Sequence, residues 1–263
     1  MDIKNKIAIL ITTFLRDDLL YKSVNSILEN EMPNNFVILI GDQGIASEEK
    51  VTWILNMKNK LKEQFHYREF PFNSGLSYGR NRLVELANKK DCNYCLISSD
   101  SFVFNQNMND INSILDIVYT PYADRIGFEL DGCVCRWEGD INLIDKDSFE
   151  IDFIDIDKKL PFYSCEIVRN FFISTTKSLL DIKWDETLLL GEHEDHSWRY
   201  KLKGYKTLWT DLYKATKMKE RPKEYAKFRQ NNFIGGIKTL KEKYNIKKWI
   251  SYKNLENAHK NKI

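Results

Sequence analysis

Three short, largely apolar runs near the start of the chain constrain its fold more than any other feature. They are residues 6–11 (KIAILI), 36–40 (FVILI) and 94–98 (YCLIS). Runs this short and this continuous read as strands buried on both faces. Segments with helical spacing separate them. Asp17 or Asp18 can cap a helix carrying Leu19, Leu20, Val24, Ile27 and Leu28, and residues 47–63 and about 77–89 are amphipathic, with a strand at 65–70 between them. This alternation predicts an α/β fold, an open and mostly parallel sheet covered by helices. Ligands of such sheets sit at the carboxyl ends of the strands. The polar loops at residues 12–16, 41–44 and 99–101 all fall at that edge.

The rest of the chain is less regular. Residues 126–154 alternate in short pieces (IGFEL, CVCRW, INLI, FEIDFI) with acidic turns, and read as a small antiparallel insertion. Strands are expected at 167–174 and 205–209, and helix from about 219 onward. The chain has 263 residues, which fits one core domain over 1–213 and an extension over 214–263. At 43% hydrophobic, wholesale disorder is excluded. No run approaches the roughly 18–20 apolar residues of a membrane span. The opening MDIKNKIAILITTF lacks an A-x-A-like site and reads as a buried strand rather than a signal peptide. Of the 40 Lys and Arg and 38 Asp and Glu, 15 and 4 fall in 214–263, leaving 25 and 34 upstream. A mildly acidic body therefore carries a basic, aromatic-bearing tail. Such a tail suits a membrane surface, a nucleic acid, or the acidic body of a second copy in a homo-oligomer, and equally suits helices with solvated lysines. The five cysteines fit a reducing compartment, and the pair Cys92 and Cys95 lacks the second half of a zinc site. A cytoplasmic protein is expected, with a peripheral location at a membrane as one option for the tail.

Three clusters could carry chemistry. Asp100 stands at the end of a buried strand, where a carboxylate can hold a divalent cation or make a turn. Residues 191–196 (GEHEDH) open a helix with acidic first-turn residues, which could supply a general base, a metal ligand or only a solvated face. Residues 73–81 (NSGLSYGRN) offer backbone N–H groups and Arg80 to phosphate. The chain has no G-x-x-x-x-G-K-[ST] and no G-x-G-x-x-G after its first strand, which excludes a P-loop and argues against a dinucleotide-binding dehydrogenase.

Taken in order, these segments resemble a glycosyltransferase of the GT-A (Rossmann-like) fold, similar to family 2 and closest to the beta-1,4-N-acetylgalactosaminyltransferase-like branch. IAILITTFLRDDLLYKSVNSIL is similar to that family's first strand, nucleotide-contacting loop and helix. VILIGDQG, NSGLSYGRN, CLISSDSFVF and WDETLLLGEHEDHSWRYKLKGYKTLW match its later motifs over about residues 6–213. The resemblance implies an inverting transfer of a hexosyl or N-acetylhexosaminyl group from a nucleotide-sugar donor, expected to be UDP-linked, to an acceptor glycan or other hydroxyl compound. It places Thr12, Thr13, Phe14, Arg16, Asp42, Asn73, Gly75, Arg80, Ser99 and Asp100 at the donor, with Asn170 and Trp184 lining the pocket. Glu192, His193, Glu194 and Asp195 become the catalytic set, with Asp195 favoured because a carboxylate is the family's usual base. Asp100 and His196 become ligands of Mn²⁺ or Mg²⁺. The sequence departs from the family at both its base and its metal motifs, and His193 stands where many members place the Asp base. Ser98 and Ser99 stand where further Asp residues are usual, and TDLYKATK offers only Thr216 or Lys217 where the branch tends to have His. Two alternatives stay open. One is transfer to modified DNA bases, suggested by the tail. The other is a silent nucleotide-sugar-binding module, suggested by the serines.

Overall fold

The computed structural model describes residues 5–117, 122–133, 137–156, 160–220 and 222–259. Strand β1 (Ile7–Thr13) leads to helix α1 (Asp17–Glu29), then β2 (Phe36–Asp42), α2 (Glu48–Leu61), β3 (Phe65–Glu69), α3 (Leu76–Lys89) and β4 (Tyr94–Ser99). Next come β5 (Phe102–Phe104), α4 (Asn109–Ile117), β6 (Arg125–Asp131), β7 (Gly139–Leu143), β8 (Phe149–Phe153), β9 (Tyr163–Cys165) and β10 (Phe172–Thr175). The chain ends with α5 (Thr176–Asp181), α6 (Glu192–Leu202), β11 (Thr207–Lys217), α7 (Lys223–Tyr244), β12 (Ile250–Lys253) and α8 (Leu255–His259).

The main sheet runs β3-β2-β1-β4-β10-β6-β11-β5, with β9 also on β11. Strands β1, β2, β3, β4, β6 and β11 point one way, while β10, β5 and β9 run against them. All seven residues of β1 and of β2 are buried. Their alternate residues feed two cores. Ile7, Ile9, Ile11, Ile38 and Ile40 pack with Leu20, Val24 and Ile27 of α1, whereas Ala8, Leu10, Val37 and Leu39 pack with Leu83, Val84 and Ala87 of α3. An apolar residue at every position is therefore what a strand sandwiched between helix layers requires.

Two expectations need correction. IGFEL does not belong to the insertion. It is β6, a central strand between β10 and β11. The insertion proper is the antiparallel hairpin β7–β8, and its third strand is β12 from the tail, parallel to β8. Part of CVCRW, including Cys135, lies outside the described residues. The tail is also not purely helical, and position 213/214 falls inside β11, which continues in the main sheet to Lys217. Among the described residues no helix is long and apolar enough to cross a membrane.

The tail docks closely on the body. A Cβ on Gly236 would meet the Leu190 backbone nitrogen at 2.5 Å, and one on Gly191 would meet Leu240 at 2.7 Å. Of the aromatics interleaved with the tail's lysines, Tyr225, Phe228, Tyr244 and Trp249 are half-buried and Tyr252 is exposed, while Lys223, Lys227, Lys238, Lys247 and Lys248 stay exposed.

Candidate functional site at the carboxyl edge of the sheet

The ends of β1 and β4 meet at Asp100. Its carboxylate is fully buried. Thr13 Oγ1 donates to its Oδ2 at 2.8 Å, and Ser99 Oγ donates to Oδ1 at 3.0 Å. Arg16 Nη2 pairs with Oδ1 at 2.5 Å. Burial pushes this carboxyl up, against the opposing pull of Arg16, Thr13 and Ser99. The guanidinium of Arg16 lies 4.2 Å from the Tyr225 ring of α7. Beside it, Phe14, Phe72 and Phe228 form an edge-to-face trio at 5.2–5.8 Å. Thr12 is buried under α3, close to Gly79.

Asp42, expected to contact a nucleotide, is enclosed instead. Its oxygens take the Gly44 N–H at 2.8 Å, the Tyr67 hydroxyl at 2.6 Å and Lys50, and none of it is exposed. Lys50 also reaches Asp17 at 2.5 Å. Asp42 therefore holds the end of β2 and the following turn.

Next to it, Gln43 clamps the loop before α3. Its side chain donates to Gly75 O and accepts from Gly75 N, both at 2.9 Å. The same loop needs left-handed backbone at Asn73 (φ 50°) and at Gly75 (φ 90°). Its far side touches the loop before α6, where Ser77 Oγ donates to Leu188 O. Gln43 is a site-organising residue that the sequence did not flag, and its place directly after Asp42 was the only signal.

Helix α6 carries the acidic cluster, and its members have different fates. Glu192 Oε1 faces buried Arg80 Nη1 at 3.4 Å. Burial lowers Arg80 to about 10, with Glu192 pulling the other way. Asp195 is fully buried, and both its oxygens are committed. Oδ2 accepts from Arg199 at 2.7 and 2.9 Å, while Oδ1 takes Tyr244 at 2.7 Å and Lys243 at 2.6 Å. Asp195 thus anchors the tail, and its favoured role as base is not supported. Burial, with the positive Arg80 and Arg125, pushes His193 down to about 3, so it is neutral. Its Nε2 is buried without a partner among the described residues. Burial and neighbouring Glu192 push Glu194 up to about 8, so it is protonated at neutral pH.

His196 does not fit a metal site. Arg125 Nη2 donates to its Nδ1 at 2.9 Å, and its Nε2–H donates to Ile182 O at 2.9 Å. An arginine can only donate, which fixes this tautomer. Trp184 is equally committed. It is buried, stacked on His196 at 4.3 Å, with Arg80 5.3 Å from its ring, and Asn81 brackets its backbone with two 2.9 Å hydrogen bonds. Buried in this way, the Trp184 ring packs in the core rather than lining a sugar pocket. Asn170, just before β10, stays at the edge, with its Oδ1 buried and unpartnered among the described residues.

The donor set therefore does not suit a divalent cation. Both Asp100 oxygens and both His196 nitrogens are taken by protein donors or acceptors, and Ser99 Oγ lies 3.0 Å from Ser101 Oγ where further carboxylates would be needed. Among the described residues no three His, Cys, Asp or Glu side chains come together in a metal-holding group. Asn105 binds Thr216, and Lys217 ends β11.

The two titrations on α6 have opposite consequences. Between about 4.5 and 8 folded Glu194 keeps a proton that the unfolded chain has lost, so stability falls as pH rises. Between about 3 and 6.5 folded His193 refuses a proton that the unfolded chain binds, so stability falls as pH falls; His196, also lowered, adds to this. The combined contribution of these three groups should therefore be greatest near pH 6.5. Glu194→Gln should remove the decline from there to pH 8, about 2 kcal/mol, as calorimetry at a series of pH values would show.

No protein-family model matches the chain, and no curated protein matches its sequence. Solved structures do match in fold. S. aureus TarS 1-349 aligns with a TM-score of 0.57 at 12% identity, over 88% of this chain and 65% of that one. The same fragment in complex with UDP gives 0.55 at 14%, over 88% and 65%. GalNAc-T7 with UDP, GalNAc and Mn²⁺ gives 0.65 at 12%, over 91% and 50%. The chain spans half to two thirds of the length of these neighbours. Its fold is that of the GT-A glycosyltransferases.

Proposed function

We propose that the chain is an inverting glycosyltransferase using a nucleotide-sugar donor, with UDP as the nucleotide. The observation that carries this reading is the convergence of Thr13, Arg16 and Asp100 at the ends of β1 and β4 on a GT-A fold, with the Arg80–Glu192 pair joining α3 to α6. Neighbours of this fold hold UDP, one of them together with GalNAc. A sugar at such an edge would have its diphosphate towards Arg16. The acceptor hydroxyl would approach from α6, on the opposite face of the sugar. As it attacks the anomeric carbon, its proton passes to a base. Glu192 suits this role best, because Asp195 is neutralised, Glu194 is protonated, and His193 at about 3 is too weak. Asn170 and the loop at residues 73–77 would line the sugar. Residues 1–213 with the end of β11 form the transferase core, and the remaining tail is proposed to shape the acceptor side. The sugar is a hexose or N-acetylhexosamine, as in the beta-1,4-N-acetylgalactosaminyltransferase-like branch.

The test is a thermal-shift screen of nucleotide sugars followed by a nucleotide-release assay with glycan acceptors. A donor at a hundredfold its Kd adds about 2.7 kcal/mol, a shift of several degrees. A flat response to every nucleotide sugar would overturn the reading. A silent nucleotide-sugar-binding module is the second reading, favoured by Ser98 and Ser99. It predicts the shift without release.

A further inference from the structure

We infer that Arg16 occupies the role of the divalent cation, so that this chain binds and releases a nucleoside diphosphate without metal. The inference rests on the glycosyltransferase reading above and adds to it the identity of the group that neutralises the leaving diphosphate.

Transfer breaks the bond between the anomeric carbon and the diphosphate oxygen. The bonding pair stays on that oxygen, the acceptor oxygen takes its place on carbon, and the acceptor proton goes to Glu192. The departing diphosphate gains one negative charge, and a positive group must meet it in a water-poor site. Asp100 is the carboxylate best placed to hold a cation there, and the cation it holds is a guanidinium. Arg16 Nη2 sits 2.5 Å from its Oδ1. Thr13 and Ser99 take two further acceptor positions of Asp100, so protein donors already hold three of the about four it offers.

Arg16 is itself built in. Its side chain is 13% exposed, and Asp100 fixes one edge of the guanidinium. Tyr225 covers one face at 4.2 Å, and its Nε is buried without a partner among the described residues. That leaves a fixed, permanently charged donor with a hydrogen bond to give, set between the ends of β1 and β4. Ser98 and Ser99, standing where further carboxylates are expected, fit the same picture. The Arg16–Asp100 pair carries no net negative charge to repel a diphosphate, whereas additional Asp residues would repel it unless a divalent ion were added.

The experiment is calorimetric titration of the full chain with UDP, in EDTA and in Mn²⁺, for the wild type, Arg16→Ala, and the double variant Arg16→Ala with Asp100→Asn. Thermal denaturation reports that each variant folds. The double variant matters because Arg16→Ala alone leaves a buried carboxylate unpaired. We expect Kd for UDP in EDTA and in Mn²⁺ to agree within about twofold, and both variants to bind at least about tenfold more weakly. Tightening of tenfold or more by Mn²⁺ overturns the inference and leaves the donor reading standing. Recovery of wild-type affinity in the double variant also overturns it, because Arg16 would then serve only to neutralise Asp100. Absence of UDP binding in every buffer overturns the inference and the UDP reading together.

Discussion

Asp195→Ala should lower stability by about 2–4 kcal/mol while leaving whatever transfer the folded fraction performs within tenfold of the wild type. Asp195 is fully buried and joins three groups: Arg199 on its own helix, and Lys243 and Tyr244 at the end of α7. Removing one member of a buried ionic cluster commonly costs about 3–5 kcal/mol, because the charge left behind is stranded. Here the stranded cations, Arg199 and Lys243, are 28% and 30% exposed and can turn to water. That discounts the cost. Lys243 would keep Asp185, which it and Thr187 hold down to about 2 against the upward push of burial. The cost should appear as a drop of roughly 5–15 °C in melting temperature, measured by calorimetry. Asp195→Asn separates anchor from base. It keeps the volume and a hydrogen-bond acceptor for Tyr244, so a large part of the protein stays folded. Loss of activity beyond a hundredfold in that folded protein would return Asp195 to the role of base.

The acidic face of α6 was legible in the sequence, but the division of labour along it was not. Glu192, Glu194 and Asp195 look alike in one dimension. What separates them is Arg80 on α3 for the first, burial among like charges for the second, and Lys243 and Tyr244, nearly fifty residues onward, for the third. His196 read as a metal ligand for the same reason. Its partners, Arg125 and Ile182, lie 71 and 14 residues away. By contrast β1, β2 and β4 were plain, because a strand covered on both faces needs an apolar residue at every position and so leaves a local signature. β6 was misplaced because Glu129 breaks that signature. Arg169 makes the charge tolerable, and its position was not legible. β12 carried no signal at all. Its four residues become a strand only because β8, about a hundred residues earlier, offers an unpaired edge. Local burial is written locally, whereas pairing and charge compensation depend on contacts that only the fold creates.

Glu192→Gln should reduce turnover by about 10²–10⁴ with little change in donor affinity, since proton removal by a positioned base contributes on that scale and the amide keeps the shape of the side chain. Glu192 stands at the first position of α6, 6% exposed, with Arg80 holding one oxygen at 3.4 Å. That pairing does two things for a base. It fixes the carboxylate, and it sets a positive group 3.4 Å from one oxygen. The amide still accepts a hydrogen bond from Arg80 but no longer offsets its charge. Arg80 is buried and already lowered to about 10, so a fall of about 1–3 kcal/mol in stability should accompany the substitution. His193→Ala is the control. A neutral imidazole at about 3 can orient an acceptor but is a poor proton acceptor, so its removal should cost less than tenfold. The readout is kcat and KM for nucleotide release in the presence of acceptor, with UDP affinity measured separately. If Glu192→Gln turns over normally while His193→Ala does not, the base is the imidazole. If both bind UDP as the wild type does and neither wild type nor variants transfer sugar to any acceptor, Glu192 serves only to pair Arg80, and the chain binds its nucleotide sugar without spending it.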